Sequence, residues 1–443
     1  MRKLQVPLLG LCMVAALSLA GCGNEKVQTT PSPNDKSAAP NDKPPPKISS
    51  DPVKLTLSTS GVGLDQKIGD MLVEHVKKKY PNITLEIMPP GKDNTVEGMV
   101  AGGTTPDIMF TYSGNINALR AMNVLYDLTP LVKSQMIDLS RIEPGHIADV
   151  KVRSAEKDEL YGIPFLTDFH GLYYNKDLFD KFGVPYPQDG MVWDDALNVA
   201  RKVTRMDGGT QYRGLESQNS IWVTQGLSLF PVDAATNKAT VINDQYKLAF
   251  ELLKSIYSIP GNQQIAKPAK NQFIQDRTLA MLLDLNSVIA LQDPKNLDLN
   301  WDMAQYPSFP DKPNIHGGIS VRVLMISAIS KHKEQAMQVL DVASSEEFQT
   351  AMSRQATMPI LKSDAVKQVF GADYPALKNK RLQSIFKSKP AQTTTVASIY
   401  KAKAEAIVLN KINEYIKGNV DVNTALQQAD EEINKMVETE RIK

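Results

Sequence analysis

Apolar residues on the alternate positions Val53, Leu55 and Leu57 predict a strand, and the polar run Ser58-Thr59-Ser60-Gly61 behind it predicts a turn. Ile68, Met71, Leu72, Val76 and Tyr80 then recur at helical spacing until Pro81, which cannot continue a helix. Alternation returns at Ile83, Leu85 and Ile87. Strand, helix and strand open a doubly wound α/β layer, where ligands gather beyond the carboxyl ends of the strands, and this sets Ser60 on a cleft edge. Later, Met281-Leu282-Leu283 reads as a strand, and Ile319, Val321, Val323 and Met325 alternate around Arg322. Trp193, at the start of a helix running to Thr204, and Trp301 read as core, and Ser344-x-x-Glu347 reads as a capping box. The segment Ala397 to Lys417 predicts a helix ending at Gly418, and Val422, Leu426, Ala429, Ile433 and Val437 mark the apolar face of a last one.

The amino terminus follows another pattern. Arg2 and Lys3 precede an apolar run from Val6 to Leu19, which leads into Leu19-Ala20-Gly21-Cys22. A basic start, a short apolar core and small residues before a cysteine match a secretory signal ending at a lipobox, and the core is too short for a comfortable membrane span. Residues 1–21 are therefore expected to be a signal peptide, with Cys22 the acylated residue that carries a lipid such as palmitate. That places the body on the extracytoplasmic face of a bacterial cell membrane, anchored by its N-terminal lipid. An uncleaved anchor helix is the alternative, and it leaves the lone cysteine unexplained. Residues 22–52, rich in Pro, Ser, Asn, Asp and Lys, predict a disordered tether that holds the folded body off the lipid.

Composition narrows the classes further. A chain of 443 residues with no second long apolar run can bury a sizeable core as two lobes. Its formal net charge is +1, and loss of Arg2 and Lys3 with the leader makes it −1, which argues against nucleic acid as a partner. Cys12 lies in the leader, so the mature chain keeps one cysteine and can build neither a disulfide nor a thiolate metal site. No histidine pair has zinc spacing, and the phosphate loop, nucleophile elbow and zinc helix are missing from the sequence; no metal or cofactor is expected.

Four motifs follow in order. They are Ala101-Gly102-Gly103-Thr104-Thr105-Pro106-Asp107-Ile108; Tyr161-Gly162-Ile163-Pro164 leading to Leu172-Tyr173-Tyr174-Asn175-Lys176-Asp177-Leu178-Phe179; Val192-Trp193-Asp194-Asp195-Ala196; and Gly317-Gly318 leading to Ile329-Ser330-Lys331-His332-Lys333-Glu334-Gln335-Ala336. In this order, behind a lipobox, they resemble the maltose-binding-protein-like extracellular solute-binding proteins, family 1, of bacterial ABC importers. The resemblance spans the chain from Val53 to the last helix. It implies a two-lobed, periplasmic-binding-protein-like α/β fold with hinge crossovers and an interlobe cleft that closes on a small-molecule solute, a sugar or oligosaccharide. It further implies delivery to ABC transporter permease subunits by a monomer that is not an enzyme. With the motif order, it sets one lobe at residues 53–165 plus 307–355 and the other at 166–306 plus 356–443.

Matched to the family pattern, the turn after the Ile108 to Phe110 strand presents Thr111, Tyr112, Ser113 and Asn115 to a ligand, and the crossover loop presents Asp168, Phe169 and His170. Asp168 falls where the family carries a sugar-contacting carboxylate, and it is expected to bond ligand hydroxyls while contributing little to the stability of the unliganded protein. In the second lobe Glu216, Gln218, Asn219 and Trp222 form one polar loop, Asp284, Asn286 and Ser287 another, and Gly317 and Gly318 complete the set. Carboxylates and amides suit sugar hydroxyls, and aromatic faces suit the C–H surface of a sugar ring. The sequence departs from the family at Leu285-Asn286-Ser287, where relatives place glycine and an aromatic residue, which argues against a long glucan. Arg322 would suit a uronide if it faces the cleft. Two other classes stay open: a secreted glycosidase with Asp168 and Glu216 as paired carboxylates, and a surface adhesin that holds polysaccharide on one lobe without closing.

Overall fold

The computed structural model describes residues 48–59, 62–88, 98–99, 102, 105–154, 159–392 and 397–442. Cys22 and Ser60 lie outside the described residues. In chain order the strands are β1 (Val53–Ser58), β2 (Ile83–Met88), β3 (Ile108–Tyr112), β4 (Ile163–Thr167), β5 (His170–Asn175), β6 (Arg205–Asp207), β7 (Thr210–Ser217), β8 (Leu279–Leu285), β9 (Trp301–Ala304), β10 (Ile315–Gly318), β11 (Val321–Ile326) and β12 (Lys389–Ala391).

Alternation makes the first sheet. Val53, Leu55 and Leu57 turn inward from β1, which pairs in parallel with β2 from Val53↔Ile83 onward and with β3 at Leu57↔Ile108. The intervening helix, Gln66–Lys79, buries Ile68, Leu72 and Val76, starts on the Asp65 side chain and ends before Pro81. The order is β2-β1-β3-β11-β4, with β11 antiparallel to both of its neighbours. Asp107 explains why two distant motifs belong together. Its carboxylate accepts from the Thr56 backbone N–H at 3.0 Å and from Ser330 Oγ at 2.6 Å, joining β1, the approach to β3 and the turn after β11.

The second sheet runs β6-β7-β8-β5-β9. One of its faces is buried under Trp193, Phe250 and the last two helices, Lys401–Ile416 and Val422–Arg441. Its other face is covered by Phe273, Phe370 and Ile385. Gly183, at φ 63, closes the helix Lys176–Phe182 in the left-handed conformation that glycine adopts without strain. The cap of the helix Glu346–Arg354 is Ser345, not Ser344, whose hydroxyl bonds back to Leu340 O at 3.0 Å instead. No helix among the described residues is long and apolar enough to cross a membrane.

Sheet membership moves the expected lobe boundaries. Leu166 and Thr167 were assigned by sequence to the second lobe, yet they pair with Arg322 and Val321 in the first sheet; the chain switches sheets only across Asp168 and Phe169. Residues from Pro307 to Gly318 stay with the second lobe, because Phe309 packs on Trp193, Ser308 bridges Val192, and β10 pairs with β12. The return passes through Ile319 and Ser320. Beyond Gln355 the chain lends Ala356 to the second core, gives Ile360, Leu361 and Val366 to the first, and joins the second again at Phe370.

Candidate functional site

Two of the crossing segments lie side by side, and Asp168 fastens them. Its backbone N–H donates to Ser320 O at 3.1 Å. Its carboxylate accepts from Ser320 Oγ at 2.8 Å, from Asn286 Nδ2 at 2.5 Å and from Arg322 Nη1 at 3.1 Å. Arg322 lies on β11 and Asn286 follows β8, so one side chain links both sheets. Arg322 also donates to the Tyr112 hydroxyl at 3.1 Å and lies over that ring, 5.0 Å from its centroid. Asn286, left-handed at φ 46, accepts from Phe169 N–H at 3.1 Å and donates its own N–H to Phe169 O at 3.3 Å. The carboxylate expected to meet a ligand is thus turned inward, with its oxygens held by the hinge.

His170, backed by His316, forms the floor. His170, expected in a loop, starts β5, and His316 sits within β10; both are almost fully buried, with their Nδ1 atoms sharing one hydrogen bond of 3.0 Å. Burial pushes His316 down to about 4, and burial followed by the nearby His316 drives His170 well below the usual histidine range. Both imidazoles are therefore neutral at pH 7. Trp222 and Tyr306 meet the His170 ring edge to face, with centroids 5.4 and 5.2 Å away. Gly317 is structural here: a Cβ on it would lie 2.5 Å from His170 Nε2. We expect Gly317→Ala to lower the unfolding free energy by about 2 kcal/mol in a denaturant titration, since overpacking a rigid site costs about 1–3 kcal/mol. Unchanged stability would mean that the imidazole has room to move.

Above this floor lies a cleft of 410 Å³ between the lobes. From the first lobe come Tyr112, Ser113, Asn115, Asn117 and Arg153, and from the second come His170, Trp222, Gln225 and Phe230; Gly318, Ile319 and Ser320 of the hinge close the back. Ile399 and Lys401 stand at the rim. Such a wall pairs amide, hydroxyl and guanidinium donors on one side with an indole and a phenyl ring on the other. It can hydrogen-bond a polar ligand and cover an apolar face of it. No group of three or more His, Cys, Asp or Glu that could hold a metal occurs among the described residues.

Of the residues singled out by sequence, Tyr112, Ser113, Asn115, His170, Trp222 and Gly318 line this cleft. The others do different work. Thr111 is buried and accepts from Asn115 Nδ2 at 2.8 Å, steadying that side chain. Phe169 points into the second core, edge-on to Phe370. Glu216 lies within β7, not in a loop; it is buried against Arg213 and Gln272, and burial raises its pKa. Gln218 accepts from Lys270 N–H at 2.9 Å, and Asp284, also inside its strand, pairs with Lys270 at 2.8 Å and takes the Ser287 hydroxyl. Asn117, Arg153, Gln225, Phe230 and Lys401 were missed. For Arg153 a signal existed: Asp149 and Arg153 stand four apart on one helix, a spacing that brings side chains together.

A family model described as bacterial extracellular solute-binding protein matches residues 59–350. An arabinooligosaccharide-binding protein of Bacillus subtilis is 27% identical over 217 residues, 47% of this chain and 43% of its own length. The chain spans about half the length of the curated relatives it matches. Among solved structures, an ABC substrate-binding protein of Listeria monocytogenes in complex with cycloalternan superposes with a TM-score of 0.70 at 19% identity, covering 87% of this chain and 99% of that one. UgpB of Mycobacterium tuberculosis, in complex with glycerophosphocholine, gives 0.69 at 16% identity, over 88% of this chain and 100% of the other. These likenesses extend the two-lobed fold over the body of the chain, and the matched family model, which covers more than half of it, supplies the identity: the chain belongs to the bacterial extracellular solute-binding proteins.

Proposed function

We propose that this protein is the receptor of an ABC importer, that it takes a sugar or short oligosaccharide between its lobes, and that it hands this solute to the permease. The observation that carries the reading is the 410 Å³ interlobe cleft, which has hydrogen-bonding side chains on one wall and Trp222 and Phe230 on the other. That volume falls in the range of small-molecule sites, roughly 300–1,000 Å³, and suits a short ligand better than a long polymer. The saccharides named for the Bacillus and Listeria relatives support the same class. Asp168 and Glu216, the two carboxylates that a glycosidase reading would pair, are each held by an arginine, which supports a binding site over a two-carboxylate hydrolysis.

The test is thermal unfolding against a panel of mono- and oligosaccharides, polyols and peptides. A true solute at 100 times its Kd stabilises by about 2.7 kcal/mol. Stabilisation by a peptide alone would overturn the sugar reading. Trp222→Ala should weaken the best saccharide about tenfold in calorimetry, because the cleft loses the indole surface that would cover the sugar ring. Unaltered affinity would place the sugar elsewhere.

The lipobox extends this reading to an anchored receptor, with the acyl group on Cys22 and residues 22–52 as the tether. Cys22→Ser should release the body into the medium or leave its precursor uncleaved, with solute affinity preserved. Equal membrane retention of that variant after detergent-free washing would contradict anchoring through Cys22.

A further inference from the structure

Arg153 ends the helix Pro144–Arg153 and faces the cleft, with 9% of its side chain exposed. Its Nε and Nη2 atoms donate to Asp149 at 2.9–3.1 Å. Asp149 is sealed away at 0% side-chain exposure and accepts a further bond from Ser113 Oγ at 2.6 Å. Nη1 takes part in none of these bonds. Beside it, a methyl group built on Gly114 would lie 3.7 Å from Nη1 and meet no atom beyond residues 113–115 within 4 Å, and Gly114 and Arg153 both line the cleft. The guanidinium is therefore fixed from behind and offers the cleft one pre-oriented N–H edge.

The charge of that edge is already balanced. Lys401, the other cation on the described wall, pairs with Glu405 at 2.6 Å, and Gln225 donates to the same carboxylate at 3.1 Å. Arg322, behind Tyr112, is balanced by Asp168. An anion brought against Arg153 would share one guanidinium with the buried Asp149, leaving a net negative charge beside an ion pair that is almost wholly withdrawn from solvent, which is costly. A hydroxyl or ring oxygen accepts the same N–H with no net charge.

From this we infer that Arg153 is a specificity-determining residue, and that the Asp149–Arg153 pair selects an uncharged oxygen-rich ligand over its anionic counterpart. The inference rests on the receptor reading and narrows it, removing the uronide that Arg322 suggested from sequence.

Calorimetry on the intact mature protein tests it, using galactobiose, maltose and cellobiose, each beside the disaccharide in which uronic acid replaces hexose. Wild type should bind the neutral member at least tenfold more tightly. Asp149→Asn, which frees the charge of Arg153, should shrink or reverse that ratio, whereas a merely structural role for the pair would lower both affinities together. Should Asp149→Asn fold poorly, Asp149→Asn/Arg153→Gln substitutes a neutral amide pair, and it should lose at least tenfold for the neutral sugar with a smaller change for the uronide, so that the ratio shrinks. Wild-type preference for the uronides, or a ratio untouched by Asp149→Asn, would overturn the inference and leave the receptor reading intact. Binding of no disaccharide of either kind would overturn the receptor reading for short sugars, and the inference with it.

Discussion

Asp168→Ala is expected to lower the unfolding free energy of the ligand-free protein by about 3 kcal/mol, at the low end of what removing one partner of a buried ion pair costs, because Arg322 keeps some solvent exposure. Three groups lose their acceptor at once: the Asn286 amide, the Ser320 hydroxyl and the Arg322 guanidinium. All three belong to the hinge or to the strands it joins, so the variant should also open more readily at the crossover. Urea unfolding measures the first effect, and hydrogen exchange at residues 166–170 and 319–322 measures the second. Asp168→Asn, which retains an acceptor but not the charge, should fall between the two. If Asp168→Ala unfolds like the parent and loses only solute affinity, the carboxylate belongs to the ligand after all.

The second large effect follows from the histidine floor. A histidine in the unfolded chain titrates near 6.5, while burial holds His316 at about 4 and His170 well below its ordinary value. Between those pH values the unfolded state binds protons that the folded state refuses, so the stabilisation is complete above about pH 6.5 and declines as the pH falls. For His316 alone the loss by pH 4 is about 3 kcal/mol. Geometry points the same way, since the shared Nδ1 hydrogen bond needs one unprotonated acceptor and two imidazolium rings with their Nδ1 atoms 3.0 Å apart would repel. His316→Gln should be less stable at pH 7 yet lose less on acidification. Parallel stability curves for parent and variant between pH 7 and 4.5 would remove the pair from the acid response.

The first α/β unit was legible because each of its elements carries its own signal: alternation for β1 and β2, helical spacing for Gln66–Lys79, and Pro81 as a stop. Of the two C-terminal helices, the last was clear from its apolar face and the one before it from its helical composition and Gly418, although it starts at Lys401, four residues after the expected Ala397. The hinge was located to within a few residues but misjudged in role. Asp168 reads as a free loop carboxylate until Arg322, 154 residues later, is brought beside it, and nothing local in the sequence announces that contact. Glu216 and Asp284 read as loop residues for a related reason, being polar residues inside strands whose partners, Arg213, Gln272 and Lys270, hold them off the described cleft wall. Trp222 and His170 were found because their loops were expected at the cleft, while Phe230 and Lys401 enter it through long-range packing alone.

Closure of the lobes on a solute held in the cleft is the claim on which the rest depends, and small-angle scattering of the mature protein tests it most directly. The saccharide that stabilises most in the thermal panel should reduce the radius of gyration when added at saturation, as the lobes swing about the Asp168 and Ser320 crossings. An unchanged scattering curve, with calorimetry proving that the same saccharide is bound, would contradict a closing receptor and favour a surface that holds its ligand on one lobe.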